Sequence, residues 1–449
     1  MTESPFDVLI RDGLVLTMDQ DHRVFPDGAV AIRGSQIAAV GTRATVGAGD
    51  ALQVIDARGG IIMPGLVNTH THAAMTLFRG LADDLPLMSW LNDHIFPAES
   101  ALDERQVYAG ALLACAEMIM SGTTTFCDMY LFEDAVARAA LTAGMRAVVG
   151  EVLFDFPSPH YGAWEQGLAY TAQLIDAYRD HPLITIAVEP HSPYLCAPEL
   201  LKRAFELARR HRLPMVIHLA ETEGEEQAIR ERYGRTPVEH LESLGVLAPN
   251  VLACHCVRLS DADIQRLKRC GVKVSHNPES NMKLASGIAP IPELLAAGVC
   301  VGLGTDGAAS NNNLDLFLEM DSAAKLHKVH RLDPTVLAAA TVLRMATIDG
   351  ARALGLDARV GSLAPGKQAD LILIDTHKPH LTPLYHPESQ LVYAAKGSDV
   401  TTVIINGRVV MDNGRILTFD AQTAMDEVNA IVRPGGSTRR PDLAALVRP

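Results

Sequence analysis

The sequence predicts an α/β protein: a (β/α)8 barrel of the TIM type carrying a small β-sandwich built from both chain ends. Three observations carry that reading. Eight short β-branched or apolar runs recur between Ile61 and Gly307, most of them separated by amphipathic stretches of helical period. That alternation, over about 300 residues, has the count and length of a (β/α)8 barrel. Both ends differ from this middle, with strand-length segments broken by turn residues. A doubly wound open sheet is the competing architecture, but no G-x-G-x-x-G follows the first central strand.

Residues 1–61 hold DVLIRDGLVLTMD, AVAIRGSQIAAVG and ALQVIDARGG, strand-like runs broken by Asp-Gly and Gly-Ser that suggest an antiparallel sheet. The barrel is assigned to 62–358. Its strands are IIMPGLVNTH, TTTFCDM, RAVVGEVLFD, LITIAVEPH, PMVIHLAE, VLACHCV, KVSHNPES and VCVGLGTDG. Between them, Ser260 caps DADIQRLKRCG with Gly271 closing it, Pro237 stands in a first turn, and Gly122 and Gly298 end other helices. The β texture returns over 359–431 in QADLILID and VTTVIINGRVV. Two β-rich ends can pair into one small domain because termini often lie close together. The tail over 432–449, rich in Pro, Gly and Arg, is expected to be loosely ordered.

The formal net charge of −14 counts against sequence-independent nucleic-acid binding, which needs clustered Lys and Arg. A small neutral or cationic substrate suits it better. The longest apolar stretches, Leu112 to Met120 and Val336 to Met345, are interrupted by Glu117 and Arg344 and are too short to span a bilayer. The start, MTESPFDVLI, has neither a basic n-region nor a long apolar h-region. Seven cysteines, an odd number without paired spacing, read as reduced thiols in a cytoplasmic protein.

Polar residues cluster at the strand ends: His70 and His72, Asp128, Glu151 and Asp155, His191, His218 and Glu221, His255, His276, and Asp306. In a barrel these ends converge on one mouth, where active sites of this architecture lie. In His70-Thr71-His72 the two imidazoles sit on one side of a strand, roughly 6.5–7 Å apart along the backbone. They can converge on one ion, with His218 as a third nitrogen, Asp306 as an oxygen and a position left for water. That donor set suits Zn²⁺, with Fe²⁺ as the alternative. Glu221 follows His218 by three residues and can take a proton from metal-activated water and pass it to a leaving group. Its plainer role would be the first acid of a helix. Cys254 and Cys256 flank His255, and strand alternation would turn both against the helices while His255 faces the mouth.

The chain resembles the amidohydrolase superfamily, in its 5′-methylthioadenosine/S-adenosylhomocysteine deaminase branch. The resemblance covers nearly the whole chain through PGLVNTHTHAAMTLFRG, HLAET, SHNPESNMKLASGIAP, GTDGAASNNNLDLF, MATIDGARALGL and GSLAPGKQADLILID. It implies that His70, His72, His218 and Asp306 hold one zinc per subunit, that Glu221 is the proton shuttle, and that His255 hydrogen-bonds the attacking hydroxide. It also implies substrate contacts from Trp90, Glu99, His191 and Ser310. Glu99 would accept from the ribose hydroxyls, Trp90 would line the nucleoside end, and His191 would contact the purine. The implied reaction is hydrolytic deamination of a 6-aminopurine nucleoside to the inosine analogue and ammonia, aided by Glu221 or Asp306 as base. The implied assembly is a homo-oligomer, a dimer or a tetramer.

One departure stands out. Some relatives place arginines after strand three that meet the homocysteine carboxylate, whereas Ala147 to Tyr178 contains no arginine. Methylthioadenosine, and adenosine next, is therefore expected over S-adenosylhomocysteine. The nearer rival is another reaction on this scaffold, on a free base (guanine, cytosine) or a triazine, which would leave Glu99 without a purpose. The further rival is a scaffold that kept the fold and lost the chemistry.

Overall fold

The computed structural model describes residues 5–433 apart from 48, 49 and 86. Five strands open the chain: β1 (Phe6–Leu16), β2 (Val24–Arg33), β3 (Gln36–Thr42), β4 (Ala51–Asp56) and β5 (Ile61–Pro64). The central strands are β6 (Leu66–Thr71), β7 (Thr123–Tyr130), β8 (Arg146–Leu153), β9 (Ile184–Ile186), β10 (Glu189–Pro190), β11 (Met215–Leu219), β12 (Val251–His255), β13 (Lys273–His276) and β14 (Val301–Leu303). Four more end the sheet structure: β15 (Leu371–Ile374), β16 (Val400–Ile405), β17 (Arg408–Asp412) and β18 (Arg415–Ile416).

The two chain ends share a nine-stranded sheet of order β18-β17-β16-β15-β5-β1-β2-β3, with β4 beside β1. They join at the antiparallel β5–β15 pair, where Ile62 faces Leu373. Alternation sorts the side chains: Val8, Ile10, Val30, Ile32, Ile62, Leu371, Leu373 and Ile404 share one apolar cluster. Ile61, Met63, Ile372, Ile374, Val403 and Ile405 belong instead to the main core with the barrel residues. Period two thus gives one face to the sheet's own core and the other to the barrel. The antiparallel expectation holds for β1–β2–β3. β4 and β5 run parallel to β1, because they reach it by crossover rather than by hairpin.

Parallel pairing runs through β6, β7 and β8, on to β9 and β10, and separately through β11 to β14. The two runs meet where Val188 bridges Met215. They meet again where the Asp306 N–H donates to the His70 carbonyl at 2.9 Å and Thr69 Oγ1 donates to Leu303 O at 2.9 Å. The result is a closed ring of eight staves, the fourth split between β9 and β10. The central strands are buried on both faces, which is why they read as continuous apolar runs. Helix ends carry their sequence signals: Ser260 caps Asp261–Cys270, Gly271 closes it at φ 70°, and Thr236 caps a helix that begins at Pro237. A bidentate pair, 1% exposed on each side, ties the foot of β8 to the sheet: Arg146 Nε and Nη2 donate to Asp370 at 2.7 and 3.0 Å. The residues from 434 onward, most of the tail expected to be loosely ordered, lie outside the described residues. Val432 itself ends a helix, Ala421–Val432.

Candidate active site

Strand geometry brings four donors to the C-terminal mouth. His70 is the next-to-last residue of β6 and His72 stands just past its end, with ring centroids 4.8 Å apart. His218, near the end of β11, lies 4.9 Å from His70 and 5.4 Å from His72. One nitrogen from each ring falls within 4.8 Å of the other two. Asp306, just beyond β14, sets Oδ1 at 3.1 Å from His72 Nε2 and 3.5 Å from His70 Nε2. The outer contacts fix the tautomers. A carbonyl can only accept, so His72 Nδ1–H donates to Met129 O and His218 Nδ1–H donates to His191 O at 2.9 Å. Each ring is left with its Nε2 lone pair free for a metal. Asp306 Oδ2 accepts from Ser280 Oγ at 2.6 Å and Ser310 Oγ at 2.8 Å, which leaves Oδ1 toward the imidazoles.

These residues fit a zinc ion. Both His70 ring nitrogens are buried and have no hydrogen-bond partner among the described residues, a costly state that a cation relieves. Burial lowers His70 to about 4 and takes His218 well below its ordinary range, so both are neutral donors. Burial opposes protonation of His72 too, but the Asp306 carboxylate outweighs it and raises His72 to about 9. The carboxylate thus demands one positive charge at this point. Three nitrogens and one oxygen converging there are the ligand types zinc takes.

A cavity opens from this centre, lined by His72, His191, His218, Glu221, His255, Asp306 and Ser310 at its polar end and by Trp90 and Glu99 among apolar side chains. Glu221 is buried; desolvation raises its carboxyl, with His255 opposing, and its Oε2 lies 4.0 Å from His255 Nε2. His255 Nδ1 faces Asn281 Oδ1 at 2.9 Å. His255 also falls within ligand distance of His70 and Asp306. Burial raises Glu99 to about 7, with the Tyr130 hydroxyl opposing. Trp90 and Glu99 arrive on the helical segment Trp90–Glu99, which follows β6 in sequence. Backbone strain gathers here: Ala220, His255, Cys256 and Asp306 all take left-handed φ, from 51° to 71°.

Other strand-end residues lie elsewhere. His276 turns outward to His327, Nε2 to Nε2 at 3.1 Å. Asp128 accepts from the Ala73 N–H, Glu151 holds His160 at 2.8 Å, and Asp155 is exposed. Cys254 departs from expectation. In the parallel β11–β12 register it is level with His218, so it shares that residue's inward face. His255 still reaches the cavity because φ 71° breaks the alternation at the strand's last residue. Ser280 was not singled out by sequence reasoning; its role is a contact to Asp306 that only the fold creates.

A closed α/β barrel with this donor set at its C-terminal mouth is a metal-centred barrel enzyme. The chain belongs to the amidohydrolase family, whose model matches residues 61–410. It is 59% identical over 434 residues to a 5-methylthioadenosine/S-adenosylhomocysteine deaminase of Syntrophobacter fumaroxidans, covering 96% of this chain and 99% of the relative. It is 48% identical to a 5′-deoxyadenosine deaminase of Methanosarcina mazei, over 94% of this chain and 96% of that one. Among solved structures, an adenosine deaminase from Xanthomonas campestris with bound zinc superposes with a TM-score of 0.93 at 40% identity, covering 95% of this chain and 98% of that chain.

Proposed function

We propose that this protein is a zinc-dependent aminohydrolase that deaminates a 6-aminopurine nucleoside, 5′-methylthioadenosine foremost, to the inosine analogue and ammonia. One observation carries the reading: a single cavity joins the four-donor centre and Glu221 to Trp90 and Glu99. The deaminase relatives support it. Zinc held by His70, His72, His218 and Asp306 supplies, when bound, a Lewis acid that makes water acidic near neutrality. Glu221, with Asp306 as the alternative base, takes a proton from the attacking water and delivers it to the ring nitrogen, then carries the second proton, from the new C6 hydroxyl, to the departing amine. The C6–O bond forms first as the C6=N ring double bond becomes single, and the bond from C6 to the amine then breaks as C6=O forms. His255, steadied by Asn281, hydrogen-bonds the attacking oxygen. His191 meets the purine, Trp90 lines the nucleoside end, and Glu99 accepts from the ribose 2′- and 3′-hydroxyls. Ser310 lines the cavity beside the substrate while its hydroxyl steadies Asp306.

The 5′ substituent is read as apolar. Phe96 and Phe154 line the cavity, Phe154 stacks on Phe156 at 4.6 Å, and Phe96 meets Phe156 edge-on at 5.9 Å. Ala147 to Tyr178 offers no arginine to a homocysteine carboxylate. The methylthio nucleoside should therefore show the higher kcat/KM, and comparable values for the homocysteine nucleoside would sink this preference.

The decisive assay is a panel of 6-aminopurine nucleosides, free bases and triazines with zinc-loaded protein. Turnover of free bases or triazines over nucleosides overturns the substrate reading. Glu221→Gln should retain zinc and lose at least about 100-fold in kcat; normal turnover refutes the shuttle. We further read residues 62–358 as the catalytic barrel and 1–61 with 359–431 as a β-sandwich around the Val8–Val30–Leu371 cluster; Ile62 to Pro64, at the head of the barrel range, add the rest of its strand β5. Our reading of it is a cytoplasmic dimer or tetramer, without a nucleic-acid or membrane partner. The free state of all seven cysteines supports the compartment. No helix among the described residues is long and apolar enough to cross a membrane.

A further inference from the structure

We infer that Glu225 is a positioning residue for Glu221: its carboxylate clamps the turn that aims the proton carrier. This rests on the reading of Glu221 given above. The Glu221 carboxylate has no close hydrogen bond of its own among the described residues, with His255 Nε2 4.0 Å away. Its direction is therefore set by its backbone. That backbone is held by Glu225, whose Oε1 accepts from the Ala220 N–H at 2.9 Å and whose Oε2 accepts from the Glu221 N–H at 2.8 Å. The Arg258 N–H donates to the Ala220 carbonyl at 2.8 Å from the far side. Between these contacts Ala220 sits at φ 53°, a conformation an alanine leaves when released.

The comparison within the molecule is informative. At Asp103–Gln106, Thr236–Glu239 and Ser260–Asp263, the third helical residue reaches back to the N–H of its own cap residue, at 3.0, 3.0 and 3.1 Å. Glu225 occupies the same position behind the cap Thr222, whose Oγ1 accepts from the Glu225 N–H. Its carboxylate passes over Thr222 to the two residues before it. The displaced box occurs at the strand end that carries His218 and Glu221. Both oxygens are occupied and the side chain is buried, so a glutamine, which turns an NH₂ toward one of the two N–H donors, breaks half of the clamp.

The test compares Glu225→Gln, Glu225→Ala and Ala220→Gly/Glu225→Gln with the parent protein. Glu225→Gln should lower kcat about 100-fold, the loss a misplaced catalytic group incurs, with KM within about twofold and zinc content unchanged. Hydrogen exchange at the Ala220 and Glu221 amides should quicken about tenfold or more, with or without zinc. Glycine at 220 accepts positive φ freely and should restore part of kcat. A parental kcat in Glu225→Gln, unchanged exchange, or a loss that merely tracks lost zinc overturns the proposal. If Glu225→Ala does not fold, the glutamine variant decides. If Glu221→Gln also turns over, the reading of Glu221 has failed, and amide exchange alone decides whether Glu225 holds the turn.

Discussion

His70 is fully buried, and neither ring nitrogen has a hydrogen-bond partner among the described residues. Leaving such a group unsatisfied costs roughly 1–3 kcal/mol, and metal ligation removes that cost. The His-Thr-His spacing makes this site legible at one end only, since two imidazoles on one strand are common and do not hold an ion alone. His218 and Asp306 complete it from strands 146 and 234 residues further along, counted from His72 to each. His70→Ala should therefore lose zinc outright rather than weaken it slightly, because neither remaining imidazole is aimed to replace it. Metal analysis of the purified variant should find well under one-tenth of an equivalent, on the order of the 10–100-fold affinity loss or more seen when even a ligand's supporting contacts go. Chelation of the parent protein should abolish turnover and added zinc should restore it; activity that persists without metal would contradict the assignment.

At the scale of elements, the eight apolar runs supply the eight staves because a parallel strand covered on both faces must be apolar throughout, except that the first run gives its IIMP half to β5 of the sheet and only the rest to β6. Side-chain direction was less legible. The expectation puts Cys254 outward and His255 inward, yet register with His218 turns Cys254 inward and the left-handed φ of His255 brings His255 to the cavity as well. Long-range pairs between elements are also invisible to periodicity. Arg146 opens the run RAVVGEVLFD and Asp370 stands in the run QADLILID, with nothing in either to pair them. Together they form a buried bidentate pair, which also receives the Asn406 N–H at 2.7 Å. Removing one partner strands a buried charge. Arg146→Met should cost about 3–5 kcal/mol, and Arg146→Met/Asp370→Leu should recover most of it. Urea unfolding with a matched slope would measure both; additive losses in the double variant would show that the pair is not a unit.

At the scale of the whole molecule, the barrel and the sheet share one core. Ile61, Met63, Ile372, Val403 and Ile405 of the sheet lie in the same apolar cluster as Phe126, Val148 and Ile217 of the barrel. The sheet itself needs both ends of the chain, since β5 pairs with β15. A fragment spanning 62–358 would expose this apolar face and should not fold on its own. Circular dichroism and size-exclusion of that fragment should show aggregation or loss of cooperative unfolding, and a monomeric, cooperatively unfolding fragment would refute the shared-core view.

By itself the sequence determined the barrel, the strand end at which each candidate donor stands, and the family. Those depend on hydrophobic period and on extended motifs, which are local and survive being read one segment at a time. Only the tertiary structure decided which strand-end residues share the cavity. His255, Glu221 and Asp306 meet there while His276, Glu151 and Asp155 do not. It also decided that Glu225, Ser280 and Asn281 stand behind them. The physical reason is that a side chain's direction at a strand end depends on one φ angle and on side-chain contacts, local for Glu225 and 26 residues distant for Ser280 and Asn281, and neither leaves a periodic trace in the chain.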